Sequence, residues 1–366
     1  MPCAKAASRL ERFPQRTVRT ATAHRQTEAI GIASAAVQLA EVAHIEQDWP
    51  DVPEGPATLV MGVDGAFVPV LRGAWADGKP LVVGEVGEPV EVKGEALGET
   101  HSRSYFSRVR EAQPFQRLTL GERYRRRLET AGHVAASSAG AEWIQGCVDD
   151  HGPEALRMLD VPHAAERIGQ IGDVVLGANH ASLAAWQTRQ LHDRTHSGPT
   201  DRLAQLTSVA AEHRSDELVA ENLAYLNKRR TQMHDPSFQA AGWPIGSGIA
   251  ESANTLVVEA RLKGAGMHWS RARVNPMRTV RNAVCNDRWD EVWQQSSAHI
   301  RRAGRIGRPV QSKPAVQAAA EAALPPPAQP ATEPAPPTKA ATTHPWRRFN
   351  DATKARLAQA GTNARK

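Results

Sequence analysis

Cysteine is scarce in this chain. Cys3, Cys147 and Cys285 are the only three, they are scattered, and no C-x-x-C pair occurs. That leaves a zinc cluster or a disulfide framework without support and fits a reducing compartment. Long apolar runs are missing as well, since none approaches the ~18 residues of a membrane span. The amino-terminal "MPCAKAASRLERF" is basic but lacks the apolar core of a secretory signal. No G-x-x-x-x-G-K-[ST] loop is present to cradle phosphates, and no G-x-S-x-G elbow, "GSG" being too short. His163, His180, His192 and His196 lack the H-E-x-x-H spacing of a zinc-binding helix and read as surface or core histidines. There is no internal repeat, and no heptad run that would demonstrate an oligomer.

What the chain has is length, positive charge and two kinds of pattern. Its 366 residues at 41% hydrophobic content can build one large domain or two ordinary ones. A formal charge of +6 and an isoelectric point near 9.5 point toward an anionic partner. Residues 1–50 read as helical and polar, with a basic helix, "QRTVRTATAHRQTEAIG" (15–31), expected to end at Gly31. "ATLVMGVDGAFVPV" (57–70) reads as a strand ended by Pro69, "KPLVVGEV" (79–86) as a second strand, and the polar segment around 88–103 as a loop. "GERYRRRLETAG" (121–132) is a charged helix, "HVAASSAG" (133–140) a short strand, "AEWIQGCVDDHG" a helix, and "EALRMLDVPHAAER" a strand entering a helix. Strands alternating with helices make the fold class α/β. Residues 173–241 read as an all-helical insertion, with Leu and Ala at three- and four-residue spacing. It separates a first core part at 57–172 from a second at 242–300. Residues 301–366 are basic and then too rich in Pro and Ala to build a core, which predicts a disordered tail.

Three carboxylates stand out. Period-two alternation puts Leu59, Met61 and Val63 on one face of the first strand, and Val60, Gly62 and Asp64 on the other. Burying the Asp64 charge in an apolar strand is expensive unless a cation or base offsets it, and Gly62 leaves space on the same face. The competing reading is a strand ending in an ordinary Asp-Gly turn. Glu251 comes after a turn relaxed by Gly246 and Gly248, with Ser247 placed to cap the helix. Ala250, Ala253, Val257 and Ala260 form a stripe at helical spacing, and the helix dipole alone accounts for an acid in the first turn. The residues beyond that stripe are less ordinary. Arg261, Lys263, His268, Arg271, Arg273, Arg278 and Arg281 form a basic run with Trp269 inside it, a combination suited to phosphate backbones and base stacking. Asp160, with His163 close behind, is either a metal ligand or the cap of the helix that begins at Pro162. Asp149 and Asp150 look solvated.

The stretch from "YLNKRRTQMHDPSFQAAGWPIGSGIAESANTLVVEARLKGAGMHWS" to "NDRWDEVW" resembles the catalytic part of bacterial insertion-sequence transposases of the ISKra-four group. "DGAFVPVLRGAW" resembles that group's first catalytic strand, and "SYFSRV", "GAEWIQG", "LDVPHAAE" and "HPWRR" match in order. The likeness covers roughly residues 57–300, and "RTVRTATAHRQTEAIG" is similar to the end of a helix-turn-helix, a remnant of which is expected within residues 1–50. The resemblance implies a ribonuclease-H-like core in which two Asp and one Glu hold a pair of Mg²⁺ (or Mn²⁺) ions. Asp64 matches the first position and Glu251 the last. It further implies double-stranded DNA as partner, both element ends and target, with Arg261, Lys263, Trp269, Arg271, Arg273, Arg278 and Arg281 along the DNA path. A homo-oligomer, no membrane, and a cytoplasmic, nucleoid-associated location go with it.

The departures count too. Where the group reads "DGAEW", this chain reads "AGAEW", so Ala139 replaces the acid implied as second ligand. Asp160 is the candidate in its stead. "ADGKP" replaces an acidic-Val-Lys-Thr pattern, and the amino-terminal region is short for the group, as in a truncated or decayed copy. Two readings result: a transposase that cleaves element ends and transfers strands, and a catalytically inactive DNA-binding relative. A non-transposing nuclease on the same fold is a third.

Overall fold

Five of the six residues in Thr58–Val63 (β1) are buried, as expected of an apolar, β-branched strand covered on both faces. β1 sits inside a mixed sheet of six strands in a computed structural model that describes residues 19–306, apart from positions 49, 93–94, 153, 178–179, 214–215 and 247. Ser247, the residues ahead of 19, and the tail beyond 306 therefore lie outside the described residues. The architecture is α/β.

The chain forms two units. One comprises Asp51–Val68 and Asp77–Gly264, the other Met1–Pro50, Pro69–Ala76 and Ala265–Lys366. This division cuts the expected second core part at residue 264 and assigns Trp269 to Arg281 to the unit that holds the amino-terminal helix.

The larger unit carries the sheet. The elements after β1 are Ala66–Pro69 (β2), Trp75–Val86 (β3), Val90–Val92 (β4), Glu95–Leu97 (β5), Thr100–Arg108 (β6), His133–Ser138 (β7) and Leu156–Leu159 (β8). The single strand expected over 57–70 is thus broken at Asp64–Gly65. β3 pairs antiparallel with β1 and with β6, while β7 runs parallel to β1 and β8 parallel to β7. The expected loop at 88–103 is instead the β4–β5 hairpin and the start of β6. β6 escaped the pattern because its apolar content is only Tyr105 and Phe106; backbone pairing to β3 holds it, and Ser104, Ser107 and Arg108 are buried with it.

On one face, Leu59, Met61 and Val63 pack with Leu81, Val83 and Phe106 beneath two helices, Ala112–Arg125 (α2) and Glu142–His151 (α3). Phe115 of α2 anchors that layer, 5.9 Å from the Phe106 ring and 6.2 Å from Trp143. α2 begins well before residue 121, where the charged helix was expected. Its last turns carry the charges, including Arg123, which is buried against Glu129 at 2.8 Å.

After β8 the described α-helices up to residue 240 are Val161–Leu176 (α4), Leu183–Ser197 (α5), Pro199–Val209 (α6), Glu217–Lys228 (α7) and Asp235–Ala240 (α8), with no strand among the described residues there. Ile168 and Ile171 of α4, Leu203 and Leu206 of α6, and Val219 and Leu226 of α7 form a second apolar cluster together with Leu159 of β8, so the helices of the insertion pack on α4 and the end of that strand. Then come Gly248–Ala253 (α9), a π-helical turn at Asn254–Glu259, and the short Ala260–Leu262 (α10). The wide turn shifts the helical phase. Val257 and Val258 are both buried and Ala260 is exposed, so the regular stripe through Ala250, Ala253, Val257 and Ala260 breaks.

The other unit is built from Thr20–Asp48 (α1), Arg271–Cys285 (α11) and Trp289–Ile306 (α12), which pack on one another. α1 runs straight through Gly31, where the sequence predicted its end. A β-carbon on Gly31 would lie 2.3 Å from the Pro276 carbonyl oxygen, so glycine here permits a close helix crossing rather than a stop. α1 has the length and composition of a membrane span, with 33% of its most apolar window buried inside the structure, although the sequence shows no long uninterrupted apolar run. Residues 301–306, expected in the tail, belong to α12.

Candidate active site

The three parallel strands end together. Val63 pairs with Ser138, and Ser138 with Leu159. The next residue along each strand is therefore Asp64, Ala139 and Asp160, at neighbouring carboxyl ends about 4.8 Å apart. That edge is where α/β sheets bind ligands.

Asp64 occupies the break between β1 and β2. Its Oδ1 accepts from the Gly65 amide at 2.7 Å, and its Oδ2 accepts from Asn254 Nδ2 at 2.7 Å. Burial pushes its pKa above the usual carboxylate value, more than the Gly65 and Asn254 bonds and the nearby His163 pull it down, and the Asp160 charge adds to the rise. The Asp-Gly turn is present, and the carboxylate in it is half-buried.

Asp160 caps α4, accepting from the His163 amide at 3.0 Å, and the same Oδ1 lies 2.6 Å from His163 Nδ1. Asp160 is 1% exposed. The bond to Asp160 raises the His163 pKa above its usual value against the opposing effect of burial. With Asp160 ionised, Nδ1 carries the ring proton in that bond. Both open readings of Asp160 are thus compatible: it caps the helix, and it stands close enough to Asp64 to act on its charge.

Glu251 lies on α9. That helix lies over β1 at Gly62, where an added β-carbon would meet Val82 Cγ1 at 3.0 Å, Ile249 Cγ2 at 3.1 Å and the Ala250 nitrogen at 3.3 Å. The space expected beside Gly62 is therefore filled by the first turn of α9. Glu251 is exposed and stands three residues before Asn254, a spacing that places side chains on one helical face. The charges acting on Asp64 are those of His163 and Asp160, and Glu251 is not among them.

Ala139 is partly buried at the margin of the Leu59–Met61–Val63 cluster. Its segment is held from the helical insertion. Tyr225 of α7 donates its hydroxyl to the Ala139 carbonyl, and burial raises the Tyr225 pKa, which keeps that proton in place. Arg229 donates Nε to the Gly140 carbonyl at 2.7 Å, bonds it again through Nη2, and reaches Glu142 Oε1 at 3.0 Å. The Tyr225 ring lies 3.9 Å from the Arg229 guanidinium and 4.6 Å from that of Arg167. Sequence reading assigned no role to Tyr225, Arg229 or Asn254; all three bond partners more than 80 residues away.

Among the described residues, no three His, Cys, Asp or Glu side chains come together as a group that could hold a metal ion. Mg²⁺ does not need three, since one or two carboxylates plus waters and substrate phosphates suffice. The donors here suit a hard cation. Beside the two carboxylates, Asn254 Oδ1 and Ser137 Oγ are buried oxygens without a hydrogen-bond partner, and Ser137 lies opposite Gly62 in the β1–β7 register. Cys147 offers no alternative chemistry, because burial pushes its thiol up to about 12.

The basic run is divided. Trp269 is 9% exposed and Arg278 0%, so both are packed inside and neither presents a surface to nucleic acid, which corrects their expected place on the DNA path. Lys263 is exposed and pairs with Glu259 at 3.0 Å, Arg271 is exposed, and Arg273 lies 3.4 Å from Glu28. Arg261 and Arg281 are half-buried. The exposed aromatic pair is Trp289 and Trp293 of α12, with ring centroids 5.8 Å apart. A comparison with protein-family models finds no match, and a comparison with curated proteins finds none either.

Proposed function

We propose that the chain is a DNA transposase of the Asp-Asp-Glu type on a ribonuclease-H-like core, acting on phosphodiester bonds with Mg²⁺ or Mn²⁺. The observation that carries this reading is the placing of Asp64 and Asp160 at the carboxyl ends of two parallel strands on either side of β7, with α9 resting on β1 and Asn254, the residue after α9, bonded to Asp64. The strand directions support the core assignment: β3 is antiparallel to both β1 and β6, and β7 and β8 then run parallel to β1.

Asp64, Asp160 and Glu251 would hold the ions. A bound divalent ion supplies charge stabilisation for the oxygens of the phosphodiester. The chain's own residues do the rest. Gly65 and Asn254 fix the Asp64 carboxylate, and His163 fixes that of Asp160. Tyr225 and Arg229 fix the segment between them. Arg261 and Lys263, in the same unit, supply positive charge toward a phosphate backbone; Arg271, Arg273 and Arg281 belong to the other unit and are proposed as DNA contacts of that unit by itself. Element ends and target DNA are the proposed partners, in an oligomer, in the cytoplasm.

Ala139 favours a second reading. Between two acids stands a methyl group where the resemblance implies a third acid, which fits a catalytically inactive DNA-binding relative. The test is nicking of a supercoiled plasmid that carries the flanks of the coding region, with Mg²⁺ or Mn²⁺. Cleavage by the protein as it stands, abolished by Asp64→Asn and by Glu251→Gln, supports the transposase. Asp160→Asn keeps an oxygen that can cap α4 while removing the charge, so its loss of cleavage assigns Asp160 to the ion site rather than to the helix. Cleavage gained only with Ala139→Asp supports the inactive relative. Cleavage untouched by Asp64→Asn would overturn both.

A further inference from the structure

We infer that Asn254 is a positioning residue for Asp64 and the neutral oxygen donor of the divalent-cation site, a role that rests on the reading above and adds a residue to it. The amide itself is the starting point. Its nitrogen end faces the carboxylate, Nδ2 to Asp64 Oδ2 at 2.7 Å, and the opposite orientation would set two oxygens against each other. The charge on Asp64 therefore fixes which way the amide points. Its oxygen end is then committed to the other side, and there Oδ1 is buried with no hydrogen-bond partner.

A buried acceptor left unpaired is costly, and native proteins keep few of them. The backbone bears a second departure at the same residue. Asn254 opens the π-helical turn Asn254–Glu259, a geometry that replaces regular helical bonds and recurs at functional sites. The wide turn comes immediately after the helix that packs against Gly62. Ser137 Oγ, also buried and unpaired, lies on the strand next to β1 in register with Gly62. An orphaned amide oxygen on the side chain that holds a half-buried carboxylate, with a second orphaned oxygen on the adjacent strand, is a donor set that a hard cation would satisfy. Asn254 is suited to this because one side chain does two things at once: it holds the ligand carboxylate with a donor, and it contributes an uncharged acceptor without adding a third repelling acid.

The test uses the full chain and Mn²⁺ alone, without DNA. Mn²⁺ binding is measured by the loss of its free-ion paramagnetic resonance signal, and thermal unfolding is recorded with and without the ion. Asn254→Ala is expected to weaken Mn²⁺ binding about 10- to 100-fold. It should also abolish the Mn²⁺-induced rise in melting temperature while the ion-free protein stays folded. Asn254→Asp keeps an oxygen, removes the donor and adds a charge beside Asp64. It should retain Mn²⁺ binding while the ion-free protein melts lower, and this variant remains informative should Asn254→Ala fail to fold. Asp64→Asn separates the two levels. Mn²⁺ binding that survives Asp64→Asn overturns the ion-site reading itself. Binding lost with Asp64→Asn but unchanged with Asn254→Ala overturns only the role of Asn254, as does loss of binding with Asn254→Asp.

Discussion

Arg229 offers the sharpest test of how the helical insertion supports the site. Its side chain is 5% exposed and makes contacts that alanine cannot replace. Nε and Nη2 both serve the Gly140 carbonyl, Nη2 reaches Glu142, Nη1 reaches the Tyr225 carbonyl at 3.3 Å, and the guanidinium stacks on the Tyr225 ring at 3.9 Å. Arg229→Ala leaves the buried Gly140 carbonyl without its donors, at about 1–3 kcal/mol. The lost stacking adds ~0.5–2 kcal/mol. These losses share one side chain and do not simply add, so the expected destabilisation is about 2–4 kcal/mol. Arg229→Lys keeps the charge but not the planar fork, and should recover less than half of the loss. The assay is urea unfolding monitored by tryptophan fluorescence, with Tyr225→Phe and the double variant completing a cycle. Because Tyr225 and Arg229 grip adjacent carbonyls, their coupling energy should exceed ~0.5 kcal/mol. An Arg229→Ala change within about 0.5 kcal/mol of zero, the range of an ordinary surface substitution, would refute the idea that α7 holds the segment between Asp64 and Asp160.

The same geometry sets other expected outcomes. Lys228 at 2.8 Å, aided by Arg229, lowers the Glu142 pKa below 4.5. Its stabilising contribution is therefore complete above that unfolded value and disappears as pH falls through the lower folded one. Glu142→Gln should cost no more than about 1 kcal/mol at pH 7, since the pair is exposed, and nothing at pH 2 in paired melting curves. Gly62→Val must displace α9, and the expected loss is about 1–3 kcal/mol in urea unfolding; an unchanged midpoint would mean that α9 does not rest on β1. Arg261→Ala and Lys263→Ala should each lower the salt dependence of DNA affinity by about one unit of slope, measured by fluorescence anisotropy. Arg278→Ala should instead lower stability by about 1–3 kcal/mol, because its side chain is fully buried and its removal leaves a cavity.

The sequence alone determined the parts of this protein that depend on neighbours along the chain. Alternating strands and helices, the apolar run of β1, and the helical insertion come from local periodicity, and periodicity is set by backbone geometry. Asp64 and Asp160 were visible for the same reason, since each ends an apolar strand. Even the cap at Asp160 was legible, because capping reaches only three residues ahead.

Only the tertiary structure decided what required distant partners. β6 is a strand because β3 pairs with it, not because of its own residues. Gly31 marks a crossing with Pro276, which no window of sequence contains. Arg278 and Trp269 lie in a basic run and yet are buried, since charge along a helix does not say which face the helix turns inward. Asn254 owes its position to a contact 190 residues away and Arg229 to one 89 residues away, and the π-helical turn that sets Asn254 against Asp64 breaks the regular spacing on which sequence reading relies. Local chemistry selects the elements; it takes the packing of those elements to bring two acids to one edge of a sheet.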